Sequence, residues 1–195
     1  MDLETKLLDE DRLEPVSATE VMRCWLADEV EDDPDAPDAD ALATEPGLRE
    51  ELIGREPIAG RVFAPEAATW YRTALSADEL CDLRVVVGPE SQGWRAVADD
   101  GRIETIAEHV LAADDASEFE GKSDEDLRKV RSLADDVAQS GPNGRLVVVQ
   151  EGDEPAYVAD GNHRAVAQVL VLLRGGETAE RGVYFGTRAD ATARS

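Results

Sequence analysis

The sequence predicts an α+β fold: a small mixed sheet with flanking helices, preceded by a mostly helical N-terminal region. Three observations carry this reading. Residues 123–141, SDEDLRKVRSLADDVAQSG, repeat apolar residues at helical spacing between a Ser/Asp cap and a closing glycine. RLVVVQ at 145–150 and AYVAD at 156–160 are short β-rich runs separated by the turn residues EGDEP. NHRAVAQVLVLLRGG at 162–176 is too long and too apolar for a strand, and glycines open and close it as they do a helix.

The remaining elements follow in chain order. In the first thirty residues Val21, Met22, Trp25 and Leu26 recur at helical spacing, with Ser17 or Thr19 as the cap, which predicts one short amphipathic helix. EDDPDAPDAD at 31–40 combines acid with proline, cannot bury apolar surface, and reads as a solvated linker. The expected organisation is therefore an N-terminal helical segment over 1–60 carrying that linker, and an α+β domain over 61–195. PGLREELIG at 46–54 predicts a helix, and ATWYRTALSADELCDL at 68–83 is read as a second helical stretch in which Ser76 caps Asp78 to Leu83. RVVVG and WRAVA, joined by PESQG and followed by Asp-Asp-Gly, read as strands with turn chemistry between them. RIETIAEHVL at 102–111 predicts a helix with Ile103, Ile106, Ala107 and Val110 on one face and His109 off it. RGVYFGTR at 181–188 supplies a last strand.

Charge narrows the function classes. The chain has 44 acidic and 20 basic residues, a formal net charge of −24 and a sequence pI near 4.3. Only Lys6, Lys122 and Lys129 are lysines; arginine supplies the other basic side chains. This pattern resembles a salt-adapted, haloarchaeal-type proteome. In molar salt the Debye length is about 3 Å, so the charge records habitat before function. At low salt the same charge argues against nonspecific nucleic-acid binding and against anionic membranes. The longest apolar run, VLVLL at 169–173, is too short to span a bilayer, and the expected location is the cytoplasm. Cys24 and Cys81 form no C-x-x-C pair, so neither a disulfide framework nor a cysteine zinc site is expected. Two histidines without H-x-x-x-H spacing make no histidine-rich zinc site, and no Walker loop, G-x-G-x-x-G or G-x-S-x-G is present.

One corner concentrates the remaining chemistry. Asp160, Gly161, Asn162, His163 and Arg164 stand where a predicted strand turns directly into a predicted helix. Such a corner presents free backbone N–H groups and the positive end of the helix dipole, which attract anions. Gly161 permits close backbone approach; His163 adds a titratable donor and Arg164 a guanidinium suited to phosphate oxygens. The same residues also make an ordinary Asp-Gly-Asn turn, with His163 packed and Arg164 paired to one of the many acids.

The order of these motifs, K-V-R-S-L at 129–133, two strands, then G-N-H-R-A-V-A at 161–167, resembles the ParB/sulfiredoxin superfamily over roughly 105–188. Sulfiredoxins have a K-V-x-S-L helix and a G-C-H-R-x-x-A corner; many ParB-like proteins have D-G-H-H-R or a related form. The resemblance implies nucleotide binding, with Lys129 and Ser132 facing the phosphates from the helix and Gly161, Asn162, His163 and Arg164 meeting them from the corner. Positions 129, 132 and 136 share one stripe, opposite the apolar stripe of 127, 130, 134 and 137. Asn162 replaces the sulfiredoxin cysteine, which argues against sulfinic acid repair. Nothing after the motif resembles a helix-turn-helix, which argues against chromosome partition. Asp136 places a negative charge where the family has a neutral hydroxyl.

Free serine kinases of this superfamily resemble the chain in a D-G-x-x-R corner and an acidic residue before the lysine helix, for which Glu118 is the nearest match. By that resemblance the candidate catalytic residues are Asp160, Glu118 and His163, the cofactor is ATP or ADP with Mg²⁺, and the partner is an unidentified small-molecule or protein acceptor. The expected activity is phosphotransfer or nucleotide hydrolysis. The rivals are a non-catalytic regulatory or protein-interaction domain and a ParB-like nuclease, the latter opposed by the charge.

Overall fold

The computed structural model describes residues 2–30, 33, 44–64, 68–86, 94, 97–114 and 124–188. Helices and strands follow in the order α1 (Leu3–Asp9), β1 (Glu14–Val16), α2 (Ala18–Val30), α3 (Glu45–Arg55), α4 (Ala59–Val62), β2 (Thr69–Leu75), α5 (Ala77–Asp82) and β3 (Arg84–Val85). They continue with α6 (Ile103–Ala112), α7 (Asp124–Ser140), β4 (Leu146–Glu151), β5 (Tyr157–Asp160), α8 (Asn162–Leu173) and β6 (Arg181–Arg188). The fold is α+β with a mixed sheet, in the strand order β1-β2-β6-β4-β5-β3. β1 runs antiparallel to β2, with Glu14 opposite Arg72, Pro15 opposite Tyr71 and Val16 opposite Trp70. β3 runs parallel to β5, with Arg84 opposite Tyr157 and Val85 opposite Val158. Among the described residues no helix is long and apolar enough to cross a membrane.

The chain divides into two compact units, both discontinuous in sequence: Met1–Thr73 with Val149–Glu154 and Tyr184–Ser195, and Ala74–Val148 with Pro155–Val183.

In the first unit α2 forms because its apolar residues fall on one face. Val21, Met22, Trp25 and Leu26 are all buried, and Ser17 starts the helix by accepting the Glu20 amide at 3.1 Å. α3 packs against α2 and buries Leu48 and Leu52. Trp25, Phe63 and Trp70 form an aromatic chain, with centroids 6.0 and 5.3 Å apart. Gly186 is needed beside it, since a Cβ there would lie 2.8 Å from the Trp70 ring. Arg72 joins Glu14 and Glu20, and Tyr184 donates to the same Glu20 oxygen at 3.1 Å. The N-terminal thirty residues thus hold two helices and a strand where the sequence suggested one helix.

The second unit is built around α8, whose residues Ala165 to Val171 are buried without a break. A helix apolar all round needs neighbours on several sides, and α5, α6 and α7 pack on it. α7 offers the predicted stripe, Leu127, Val130, Ala134 and Val137, all buried, each contributing about 1.5–3 kcal/mol for the larger side chains. α6 offers Ile103, Ile106, Ala107 and Val110, with His109 exposed off that face. Arg131 of α7 donates to the carbonyls of Val110 and Ala113, satisfying the C-terminal end of α6. Gln168, 1 % exposed, is tied by its amide nitrogen to Thr178 Oγ1 and the Ala179 carbonyl, which fixes the return from α8.

Two expectations are corrected. Residues 69–75 are strand β2, not helix: Thr-Trp-Tyr-Arg-Thr favours an extended chain, and pairing with β1 satisfies its backbone. The helix begins only after Ser76, whose side chain and that of Glu79 form a reciprocal capping box. Trp94 and Val97 lie in turns instead of a strand, because the Trp94 carbonyl accepts the Val97 and Ala98 amides at 3.0 and 3.3 Å. PESQG and most of the acidic linker lie outside the described residues.

Candidate functional site

The corner is built by backbone. β5 ends at Asp160, Gly161 adopts φ +91° and ψ 24°, and α8 starts at Asn162. The first helical bond runs from the Ala165 amide to the Gly161 carbonyl at 2.9 Å. The amides of Asn162, His163 and Arg164 therefore have no acceptor within the helix, and Gly161 as the N-cap offers no side-chain acceptor. No acidic residue occupies the first turn of α8 to neutralise the helix dipole. Gly161 is required twice over: its positive φ suits glycine, and a Cβ would fall 2.5 Å from Leu146 Cδ2.

Side chains then close around that backbone. Arg164 Nη2 donates to Asp160 Oδ2 at 2.8 Å, both residues being largely buried at 21 % and 14 % side-chain exposure. The Arg164 guanidinium lies beside Gly161, since a Cβ on the glycine would come within 3.1 Å of Nε. His163 meets the edge of Trp94 at a centroid distance of 4.9 Å and an interplanar angle of 71°. Asn162 Oδ1 is buried and has no hydrogen-bond partner among the described residues.

Five of the candidates, Asp160, Gly161, Asn162, His163 and Arg164, are thus held at one corner. Lys129 and Ser132 are on α7, exposed, as is Asp136, on the face away from the buried stripe. Among the described residues no hydrogen bond or ion pair joins Lys129 or Ser132 to the corner. Glu118 lies outside the described residues. Trp94 is the member that sequence reasoning missed as part of the site; it sits in a segment read as a strand, and no local pattern marks its partner in α8.

Other reactive groups are quiet. Burial, followed by the neighbouring Glu104, Asp78 and Asp82 charges, pushes the Cys81 thiol up to about 11, so it is not a thiolate nucleophile at neutral pH. Among the described residues no three His, Cys, Asp or Glu side chains cluster as a metal site. Asp160, the carboxylate at the corner, is engaged by Arg164.

No family model matches the chain, and neither a curated protein nor a solved structure resembles it at a significant level.

Proposed function

We propose that the Gly161 corner binds the phosphates of a nucleotide, ATP or ADP with Mg²⁺, in a cytoplasmic ParB/sulfiredoxin-like protein that acts as a phosphotransferase or nucleotide hydrolase. The observation that carries the reading is the uncapped N-terminus of α8 entered through a left-handed glycine. The first backbone amides of α8 and the positive end of its dipole face one point there, the arrangement that favours a phosphate group. Arg164 adds a fixed positive charge beside the glycine, and Asp160 holds its orientation.

In this reading Lys129 and Ser132 face the nucleotide phosphates from α7, and a Mg²⁺ bound with the nucleotide would supply charge neutralisation for the transferred group. Asp160 or Glu118 takes the proton of the attacking hydroxyl or water as the new P–O bond forms and the old one breaks. A non-catalytic regulatory or interaction domain is the second reading. The Arg164–Asp160 pair favours it, because it turns one donor of the guanidinium to the protein's own carboxylate.

Thermal unfolding in molar KCl with Mg²⁺ separates them, comparing ATP, ADP and CTP on wild type, His163→Ala and Lys129→Ala. A ligand at a hundred times its Kd adds about 2.7 kcal/mol. The nucleotide reading expects a rise in Tm with one nucleotide that is lost in His163→Ala and reduced in the exposed-site Lys129→Ala. No rise with any nucleotide leaves the interaction reading.

A further inference from the structure

We infer that His109 is a positioning residue of the Gly161 corner: it pins the turn that carries Trp94, and Trp94 in turn sets the His163 imidazole. All of these residues belong to the second unit. The inference deepens the nucleotide reading and rests on it only for what the imidazole then meets. His109 lies on α6, which packs on α8 and buries Ile103, Ile106, Ala107 and Val110. The His109 ring stands off that stripe and is exposed, so core packing does not account for it.

A hydrogen bond fixes that ring instead. His109 Nδ1 meets the Val97 carbonyl oxygen. A carbonyl only accepts, so Nδ1 carries the proton and donates. The Trp94 carbonyl accepts the Val97 and Ala98 amides at 3.0 and 3.3 Å, and the Ala98 carbonyl accepts the Gly101 amide at 3.0 Å. Beyond this the chain is tied to β3, because the Gly101 carbonyl accepts the Val85 amide at 2.8 Å. β3 therefore holds the far end of the turn, and His109 holds it at Val97, the residue whose amide bonds to Trp94.

Trp94 is what the turn delivers. It is 8 % exposed, and its ring meets His163 in a T-shaped contact with centroids 4.9 Å apart. His163 is the second residue of α8, where the backbone fixes its Cα and leaves the side-chain rotamer open. An aromatic ring packed edge-to-face against the imidazole selects one orientation. The contact joins residues far apart in sequence, so its geometry is only as good as the turn that holds Trp94. His109 fastens that turn to α6, and α6 is itself packed on the helix that carries His163.

Proton NMR of the full chain without nucleotide tests this, by the nuclear Overhauser effect between the Trp94 indole and His163 imidazole protons in wild type, His109→Ala, His109→Asn and Trp94→Ala. The inference expects the effect in wild type, its loss in His109→Ala, and its return in His109→Asn, whose side-chain N–H reaches the same carbonyl. The His163 ring protons of His109→Ala should move toward their positions in Trp94→Ala, where the indole ring current is gone. The α7 amide signals should stay unchanged in His109→Ala, which separates positioning from a folding defect. An undiminished effect in His109→Ala, its absence in wild type, or a His109→Ala chain that unfolds overturns the inference. ADP with Mg²⁺ is then titrated into wild type and His109→Ala. Where wild type binds, an affinity loss of about fivefold is expected, the worth of one hydrogen bond, and equal affinity overturns the inference. No binding by wild type sinks the nucleotide reading alone, and the ring contact still decides this one.

Discussion

Gly161 holds a left-handed conformation and has no room for a side chain, so the corner depends on a single residue. Gly161→Ala should cost at least about 1–3 kcal/mol from the backbone alone, with the Leu146 clash added, read as a lower urea midpoint at unchanged slope. Glu56 offers a pH test. Its burial, then the nearby Glu29 charge, raises its carboxyl above the ordinary 4.5. The folded state therefore binds the Glu56 proton more tightly than the unfolded chain does. Stability falls as pH rises through the window between 4.5 and the raised value, and stays reduced above it. Glu56→Gln should accordingly be more stable than wild type at pH 7, with the difference vanishing near pH 4, by urea unfolding across pH.

At the scale of elements, local chemistry decides where each begins. The Ser76–Glu79 capping box starts α5 immediately after β2, and Ser76→Ala should cost about 1 kcal/mol in denaturant unfolding. This boundary also shows what sequence could and could not reveal. The cap at Ser76 was legible because its signal is contained in four residues. β2 was not, because its pairing partner β1 is a three-residue strand with no pattern of its own, and the apolar spacing of Trp70, Ala74 and Leu75 suits helix as well as strand. α6, α7 and α8 were legible through stripes that the structure buries as expected, and β4, β5 and β6 through their apolar runs. The corner at 160–164 was legible as a strand-to-helix turn. Its closure by Trp94 was not, since a ring contact between residues so far apart in sequence leaves no local trace.

For the whole molecule, a net charge of −24 leaves little long-range attraction for an anionic ligand, so a phosphate site must rest on short-range geometry. The positive end of the α8 dipole, with Arg164 beside Gly161, supplies such geometry. No related protein lends a function by analogy, and the fold class alone assigns none. The most direct test observes every amide of the chain at once: a ¹⁵N–¹H spectrum of the full protein in molar KCl with Mg²⁺, titrated with ADP. The account predicts saturable shifts that are largest at the amides of Asn162, His163 and Arg164. Saturable shifts centred elsewhere, or amides at 162–164 that stay unmoved at millimolar ADP, would contradict it.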